Sequence, residues 1–406
     1  MFKKERKVVD WIIKFAPYFM IGLATIVALV IRFDSRKFFS GDSSDFLIPW
    51  FLQIRNNGGL ASLREQIGDY NILYQTIIAF MTYLPGIGDD QCKIMYCYKA
   101  LSAVFDFTLA GAVAYTVCDF KNKKMFGNTF ALAYSIVLFL PTVVMNSSQW
   151  AQCDSIYSTF AVLFIYFFYR EKYVRAFVFY GIALAFKFQT IFLLPFVLAY
   201  YFYKRRFSIL YFLISAGVFW FSGIFAFFNG RPLYTPFTLY FNQTNSYGEM
   251  FMNFPSIWAL FGNDYLRYKN FGILLGLSLC LIGFYLIVSG KKKIEEPSQY
   301  LSCGIWFVWS CLLTLPAMHE RYAYLMDILL VMAAFLDKKF FKYAFIALIE
   351  SFKSYPGFLI FQNHLENLDS FIYAAAFIHF TYTIFVKKEG EAEESVKTEE
   401  ISQKNA

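Results

Sequence analysis

Charged residues are scarce in this 406-residue chain: Asp, Glu, Lys and Arg make up 16% of it, whereas 58% of the residues are hydrophobic and 22% are aromatic. An ordinary soluble domain carries about 25% charged residues, so water is not the main solvent of this chain. Apolar stretches of roughly 15 to 25 residues recur from end to end, with short basic clusters between them. The pattern predicts one polytopic membrane domain rather than two or three soluble domains.

The seven cysteines lack the spacing of a CxxC metal or redox motif. Cys92 and Cys97 are the only close pair, so we expect the cysteines to act as small apolar fillers. The net charge of +8 comes from Lys and Arg runs beside apolar segments, which is the positive-inside pattern of membrane proteins. We therefore expect no nucleic-acid partner.

The first apolar run lacks the small-residue cleavage site of a signal peptide. It extends from Trp11 to Ile31, which is longer than a signal-peptide core, and it follows the basic run KKERK at residues 3–7. We expect a retained signal anchor whose N-terminal end is cytoplasmic, because basic residues stay on the cytoplasmic side.

Basic clusters after later apolar runs mark further cytoplasmic turns and give an alternating topology. We predict an all-α polytopic protein of the cell membrane, with about twelve spans in one domain of residues 1–386 and with both termini cytoplasmic. Residues 387–406 are polar and acidic, so we expect a disordered cytoplasmic tail. The predicted spans are residues 11–31, 96–117, 125–145, 155–168, two short helices within 176–203, then 207–228, 271–289, 300–315, 322–336, 340–361 and 371–386.

The first predicted outer loop, about residues 32–95, contains GDSSDFLIPWFLQIRNNGG and then DYNILYQTIIAFMTYLPG. Residues 45–56 carry apolar side chains at helical spacing and precede Gly58-Gly59, so we predict an amphipathic helix along the membrane interface. Residues 71–83 fit a second interfacial helix. We expect this loop to be extracytoplasmic and to hold a functional site.

Two carboxylates at the start of this loop have two possible roles. One caps the helix by accepting a backbone N–H while the other faces water, or one of them serves as a general base. A membrane enzyme that transfers a group to a hydroxyl needs a carboxylate at the membrane surface, and we place Asp42 at that depth. We choose Asp42 as the base, with Asp45 as the second choice.

A second polar cluster, NSSQWAQCDS at residues 146–155, is predicted on the same side of the membrane as Asp42. Gln149, Trp150 and Gln152 suit a sugar, because amides hydrogen-bond to hydroxyls and an indole face stacks on a pyranose. Asp154 has a simpler interpretation as the N-cap of the following helix.

Two further clusters place charge in an apolar setting. Lys187 and Gln189 lie in FKFQTIFLLP, where an unpaired Lys at the bilayer centre would cost about 2.5 to 3.5 kcal/mol. Either this Lys snorkels to the interface, or two short helices meet near it and present it to a phosphate anion. His319, Glu320 and Arg321 in MHERY offer a ring, a carboxylate and a guanidinium, or only a Glu–Arg surface contact.

Taken in order, the motifs SGD, DFLIPW, GG, DYN, SQWAQCDSIY, GIALAFKFQTIFLLP and MHERY resemble the GT-C polytopic glycosyltransferases. Within them they resemble most the bacterial proteins related to eukaryotic GPI mannosyltransferase II. The similarity extends from about Ser40 to Tyr324. The DYN segment reads DYNILY here, without the two prolines of the family pattern.

The resemblance implies a GT-C-like bundle that transfers a hexose, such as mannose, glucose or galactose, with inversion. The donor would be a polyprenyl-phosphate sugar, and the acceptor a cell-envelope glycan or glycolipid at the outer face. It implies Asp42 as the base, with Lys187, His319 and Arg321 at the donor phosphate. The implied sugar or acceptor contacts are Asp69, Tyr70, Gln149, Trp150, Gln152, Asp154, Gln189 and Glu320. We predict no metal and no cofactor, and as partners only membrane lipids, the donor and the acceptor.

Two other classes stay open. A transporter or flippase of lipid-linked saccharides also suits about twelve spans, although the chain shows no internal repeat and its polar clusters gather at the outer ends of spans. A non-catalytic scaffold that kept the fold is the other. The sugar, the acceptor and the linkage depend on the shape of the pocket rather than on any motif.

Overall fold

Helices form nearly all the regular structure of the chain. The computed structural model describes residues 3–243, 247–361, 365 and 367–387, so residues 388–406 of the predicted tail lie outside the described residues. The α-helices are α1 Lys3–Asp34, α2 Ile48–Asn56, α3 Ile72–Met81, α4 Gln91–Phe120, α5 Asn128–Phe139, α6 Pro141–Val144, α7 Asp154–Tyr169, α8 Tyr173–Phe186, α9 Leu194–Lys204, α10 Tyr211–Phe221, α11 Ile224–Phe228, α12 Thr235–Gln243, α13 Tyr265–Val288, α14 Pro297–Thr314, α15 Tyr324–Leu336, α16 Phe341–Pro356 and α17 Asn367–Phe385. The all-α prediction is confirmed for the described residues.

Short turns and one small strand pair connect these helices. The 3₁₀ turns are Ser35–Lys37, Gly59–Arg64, Phe188–Leu193, Ile257–Leu260 and Lys338–Phe340, and the π-helical turns are Ser43–Leu47, Met145–Gln149 and Gly357–Phe361. Strands β1 (Phe251–Met252) and β2 (Met318–His319) pair in parallel, with Met252 opposite His319. This pairing holds the segment before α13 against the MHERY segment.

A helix occupies each predicted span. The two short helices expected near Lys187 are present, because α8 ends at Phe186 and the turn Phe188–Leu193 leads into α9. The segment between the predicted spans 207–228 and 271–289 contains α12, and α13 already begins at Tyr265.

Four helical segments of the described chain are long and apolar enough to cross a membrane. They are Lys3–Lys37, α4, α13 and α17, and the bent pair Asn128–Phe139 and Pro141–Gln149 makes a fifth if its 54° bend lies within one span. Five shorter apolar helices, α3, α7, α8, α10 and α15, have 10–17 residues each. By length and composition, several helices can therefore span a bilayer.

Both predicted helices of the first loop are present. The π turn Ser43–Leu47 runs into α2, which ends at Asn56 just before Gly58, a residue with the left-handed φ of +87° that favours glycine. Asn71 begins α3 by accepting the Ile72 backbone N–H on its side chain. The apolar side of α2 faces the core with its buried residues Ile48, Phe51 and Ile54.

Two buried arginines fasten this loop and its neighbours to the bundle. Arg32 at the end of α1 donates from Nε to Asp106 Oδ2 at 2.8 Å, and Ser147 Oγ donates to the same oxygen at 2.5 Å. Arg231, which follows α11, donates to Gln75 Oε1 at 3.1 Å in α3. A buried charge is tolerated only with such partners. These bonds fix the first loop and the π turn before α7 in place.

Glycines allow α13 to approach α14 closely. A Cβ on Gly272 would lie 2.8 Å from the Thr314 backbone oxygen, and a Cβ on Gly276 would lie 2.9 Å from Leu315 Cδ2. The first half of α13 therefore lies directly beside the end of α14, where the chain enters the MHERY segment.

We expect Gly272→Ala to force these helices apart, because its new methyl group meets a backbone oxygen, and to cost about 1–3 kcal/mol of stability. The control is Gly217→Ala in α10, where a Cβ meets nothing within 4 Å. There Ala should be neutral or stabilise by up to about 1 kcal/mol. Thermal unfolding in detergent measures both; equal unfolding midpoints would contradict the close contact.

Candidate functional site

A cavity of about 840 Å³ lies where the first loop meets the ends of several helices. This volume falls within the range of roughly 300–1,000 Å³ that is typical of small-molecule sites. Segments far apart in the sequence form its wall. The nine predicted site residues that line it are Asp42, Asp69, Tyr70, Gln152, Lys187, Gln189, His319, Glu320 and Arg321.

Only one carboxylate oxygen of Asp42 accepts hydrogen bonds from other described residues. Its Oδ2 accepts a hydrogen bond from Trp150 Nε1 at 2.7 Å and another from Gln152 Nε2 at 3.1 Å. Its Oδ1 accepts none from the described residues, and Asp42 makes no capping bond at the helix start. The capping alternative is therefore wrong for Asp42, which keeps one oxygen available to a bound group.

Asp45, the second choice, lies elsewhere. It is exposed and is absent from the cavity wall. Although Asp45 follows Asp42 by only three residues, its carboxylate does not reach the cavity.

A hydrogen-bonded chain orients the Asp42 carboxylate. Tyr70 Oη donates to Gln152 Oε1 at 2.5 Å, which leaves the Gln152 amide N–H₂ pointing at Asp42. Gln152 is 2% exposed, so little room remains for other orientations of its amide. Gln152 therefore contacts Asp42 and also lines the cavity.

Trp150 holds Asp42 by a hydrogen bond but does not itself line the cavity. Phe358 stacks on its indole at 4.7 Å between ring centroids, the Arg321 guanidinium lies 5.1 Å from its centroid, and the side chain has no exposed surface. The prediction that a sugar stacks on this indole is wrong for this geometry, because neighbouring side chains already cover the ring. Trp150 acts through its N–H instead.

Asp154 is a buried counter-ion and not a helix cap. It makes no capping bond at the start of α7; its Oδ1 pairs with Lys187 Nζ, and its Oδ2 accepts from Asn146 Nδ2 at 2.7 Å. Asp154 has no exposed surface, and Lys187 is 6% exposed. The cap prediction for Asp154 is therefore wrong, as is the snorkelling alternative for Lys187, since α7 supplies its partner.

Arg321 lies among three carboxylates without a hydrogen bond to any of them. Its Nη1 is 3.8 Å from Asp42 Oδ2 and 3.6 Å from Glu320 Oε1, and its Nε is 3.8 Å from Asp154 Oδ2. The Nε atom is buried with no hydrogen-bond partner in the described chain. These distances exceed normal hydrogen-bond lengths, so the guanidinium can still donate to an anion.

His319 and Glu320 complete this side of the cavity. His319 Nδ1 lies 3.6 Å from Glu320 Oε2, and His319 Nε2 is buried without a hydrogen-bond partner among the described residues. Glu320 is 3% exposed. The alternative of a surface Glu–Arg contact is therefore wrong, because Glu320 and Arg321 meet inside the protein.

The remaining predicted residues differ in position. Asp69 lies at the cavity rim, where desolvation raises the pKa of its carboxyl. Gln189 lines the cavity, and its buried Oε1 lacks a hydrogen-bond partner in the described ranges. Gln149 does not line the cavity, so no contact with a ligand there supports its predicted role.

Sequence reasoning missed several polar or aromatic residues of the wall, among them Trp50, Gln243, Tyr247 and Lys269. Trp50 lies within the DFLIPW motif, and its indole rests against Gly68, where a Cβ would come within 2.6 Å of the ring. Gln243 and Tyr247 lie in the long segment before α13, and Lys269 lies in the polar start of α13, before its apolar run begins at Phe271. The length of the segment before α13 was the feature of the sequence that could have pointed to these residues.

Among the residues that the structure describes, no group of three or more His, Cys, Asp or Glu side chains could hold a metal ion. No protein-family model matches this chain, and no curated protein matches it either. The site therefore has to be interpreted from its own geometry.

We expect Trp150→Phe to keep the contact with Phe358 but to lose the N–H bond to Asp42. A hydrogen bond to a charged group contributes about 1.5–3 kcal/mol, so the unfolding free energy should fall by that amount. The same substitution in an Asp42→Ala background should cost clearly less, because the acceptor is already gone. Denaturant unfolding of the four proteins measures this cycle, and equal costs in both backgrounds would argue against the bond.

Proposed function

We propose that this chain is a GT-C-like glycosyltransferase that moves a sugar from a polyprenyl-phosphate donor to a glycan or glycolipid acceptor. One observation carries the proposal: a carboxylate with an unused oxygen, Asp42, shares a cavity with a guanidinium that lacks hydrogen-bond partners, Arg321. The first suits proton removal from an alcohol, and the second suits a phosphate. A lipid substrate is supported by the many apolar side chains in the same wall, among them Phe46, Phe186, Phe188, Phe192, Ile273, Leu315 and Phe358.

The proposed reaction is a single displacement at the anomeric carbon. Asp42 Oδ1 takes the proton of the acceptor hydroxyl while that oxygen forms its bond to the anomeric carbon. The bond between the anomeric carbon and the phosphate oxygen breaks, and its electron pair leaves with the phosphate. Inversion follows from attack on the opposite face. Arg321 stabilises the charge that develops on the departing polyprenyl phosphate.

The hydrogen-bonded neighbours of Asp42 would prepare it for this step. Trp150 and Gln152 hold Oδ2 by hydrogen bonds. The carboxylate is therefore held in one orientation, and the direction of Oδ1 is fixed as well. Water exclusion by the aromatic wall would strengthen the pull of Arg321 on the phosphate.

We further propose about twelve spans, with the cavity at the extracytoplasmic face. Support comes from α7, which begins beside the cavity at Asp154 and ends at Tyr169 just before the basic turn that contains Arg170. Other basic turns follow α4, α9, α13 and α15, at residues 121–124, 204–206, 291–293 and 338–339. Positive clusters away from the cavity favour a cytoplasmic location for that end of the bundle.

Asp42→Asn should abolish transfer, because the amide does not accept a proton at neutral pH; we expect a loss of about 10²-fold or more. Asp45→Asn is the matched control, three positions away and outside the cavity. Both variants are expressed in cells that lack the gene, and envelope glycans are compared by mass spectrometry. Full restoration by Asp42→Asn, with normal protein levels, would rule out Asp42 as the base.

Purified protein in proteoliposomes should consume a lipid-linked sugar only when an acceptor is present, since the proposed reaction needs both substrates. The donor and acceptor for this assay are the compounds that accumulate or disappear in the glycan comparison. Labelled lipid-linked sugar should not cross the bilayer by counter-flow. Counter-flow without product formation would instead identify a transporter.

A further inference from the structure

Lys187 and Arg321 are both cations of the cavity wall, but their surroundings differ. Lys187 Nζ pairs directly with Asp154, and the rings of Tyr157 and Tyr322 lie 5.6 and 5.7 Å from it. A carboxylate and two aromatic faces therefore already compensate its charge.

The guanidinium of Arg321, in contrast, has no close partner that compensates its charge. Three carboxylates lie near it, yet all of its closest approaches to them are 3.6–3.8 Å, and no hydrogen bond joins its guanidinium to another described residue. Its Nε is buried and has no partner in the described chain. A buried N–H donor without a partner is costly, so the geometry leaves a place for an oxyanion beside Nε.

Asp154 lies between these two cations and can pair with either of them. It lies within reach of both, with Oδ1 on Lys187 and Oδ2 3.8 Å from Arg321 Nε. If Lys187 lost its charge, Asp154 would be a buried carboxylate without a close counter-ion. The nearest remedy would be a hydrogen bond from Arg321, which would draw the guanidinium from the cavity toward α7.

We propose that, of these two cations, Arg321 contacts the donor phosphate, and that Lys187 with Asp154 forms a positioning pair. Lys187 neutralises Asp154 and so leaves the donors of Arg321 to the substrate. This inference rests on the proposed function. It changes the sequence-based roles of Lys187 as a phosphate ligand and of Asp154 as a sugar ligand.

The test measures binding of a polyprenyl phosphate to the purified full-length protein in nanodiscs, with the matching polyprenol as the uncharged reference. Arg321→Gln should weaken phosphate binding about 100-fold. Lys187→Met should weaken it about tenfold, because the unpaired Asp154 captures Arg321. The double variant D154N/K187M should return to within about threefold of the parent, since the unpaired carboxylate of Asp154 that would capture Arg321 is gone. Lys339→Met, in an exposed ion pair with Asp337, is the control for lost charge.

Recovery in the double variant is a gain of binding, so misfolding of a single variant does not produce it. A double variant as weak as Lys187→Met would overturn the inference and make Lys187 itself the phosphate ligand. Parental affinity in Lys187→Met would overturn the positioning role of the pair. A parent that binds polyprenyl phosphate no better than polyprenol would overturn the phosphate site, and with it the proposed function.

Discussion

Burial of opposite charges inside an apolar bundle is the constraint on which the site depends. A lone ammonium or carboxylate in such a medium would cost several kcal/mol, so each one is kept only with a partner. Lys187 is buried because Asp154 is buried beside it, and the two belong to segments 33 residues apart. The ion pair therefore fixes the break between α8 and α9 against the start of α7. That contact forms one wall of the cavity.

The same rule explains how the first loop keeps its position. Arg32 at the end of α1 binds Asp106 in α4, and Arg231 binds Gln75 in α3. Neither arginine lines the cavity, and each joins an element of the loop region to a helix of the bundle. Pairing of buried charged side chains thus holds together both the helices of the bundle and the wall of the cavity.

Arg321 is the exception that gives the site its chemistry. The buried cations Arg32, Arg231 and Lys187 each have a close polar partner, whereas the guanidinium of Arg321 is surrounded by carboxylates at distances too long for hydrogen bonds. Trp150 connects it to Asp42, since its ring lies under Arg321 and its N–H holds the Asp42 carboxylate. The proposed base and the proposed phosphate-binding group are therefore in contact with the same residue. A ligand between them would meet both groups at once.

The sequence by itself determined most of the helices, the break near Lys187, the two helices of the first loop and nine of the polar residues that line the cavity. Apolar periodicity, glycines and basic clusters act over a few residues, so they can be interpreted locally. Only the tertiary structure decided the roles of Asp154 and Trp150. Local rules assigned Asp154 to a helix cap and Trp150 to an open sugar platform. Contacts with Lys187 and Phe358, which are distant in sequence, prevailed because a buried charge or ring takes the strongest partner in space.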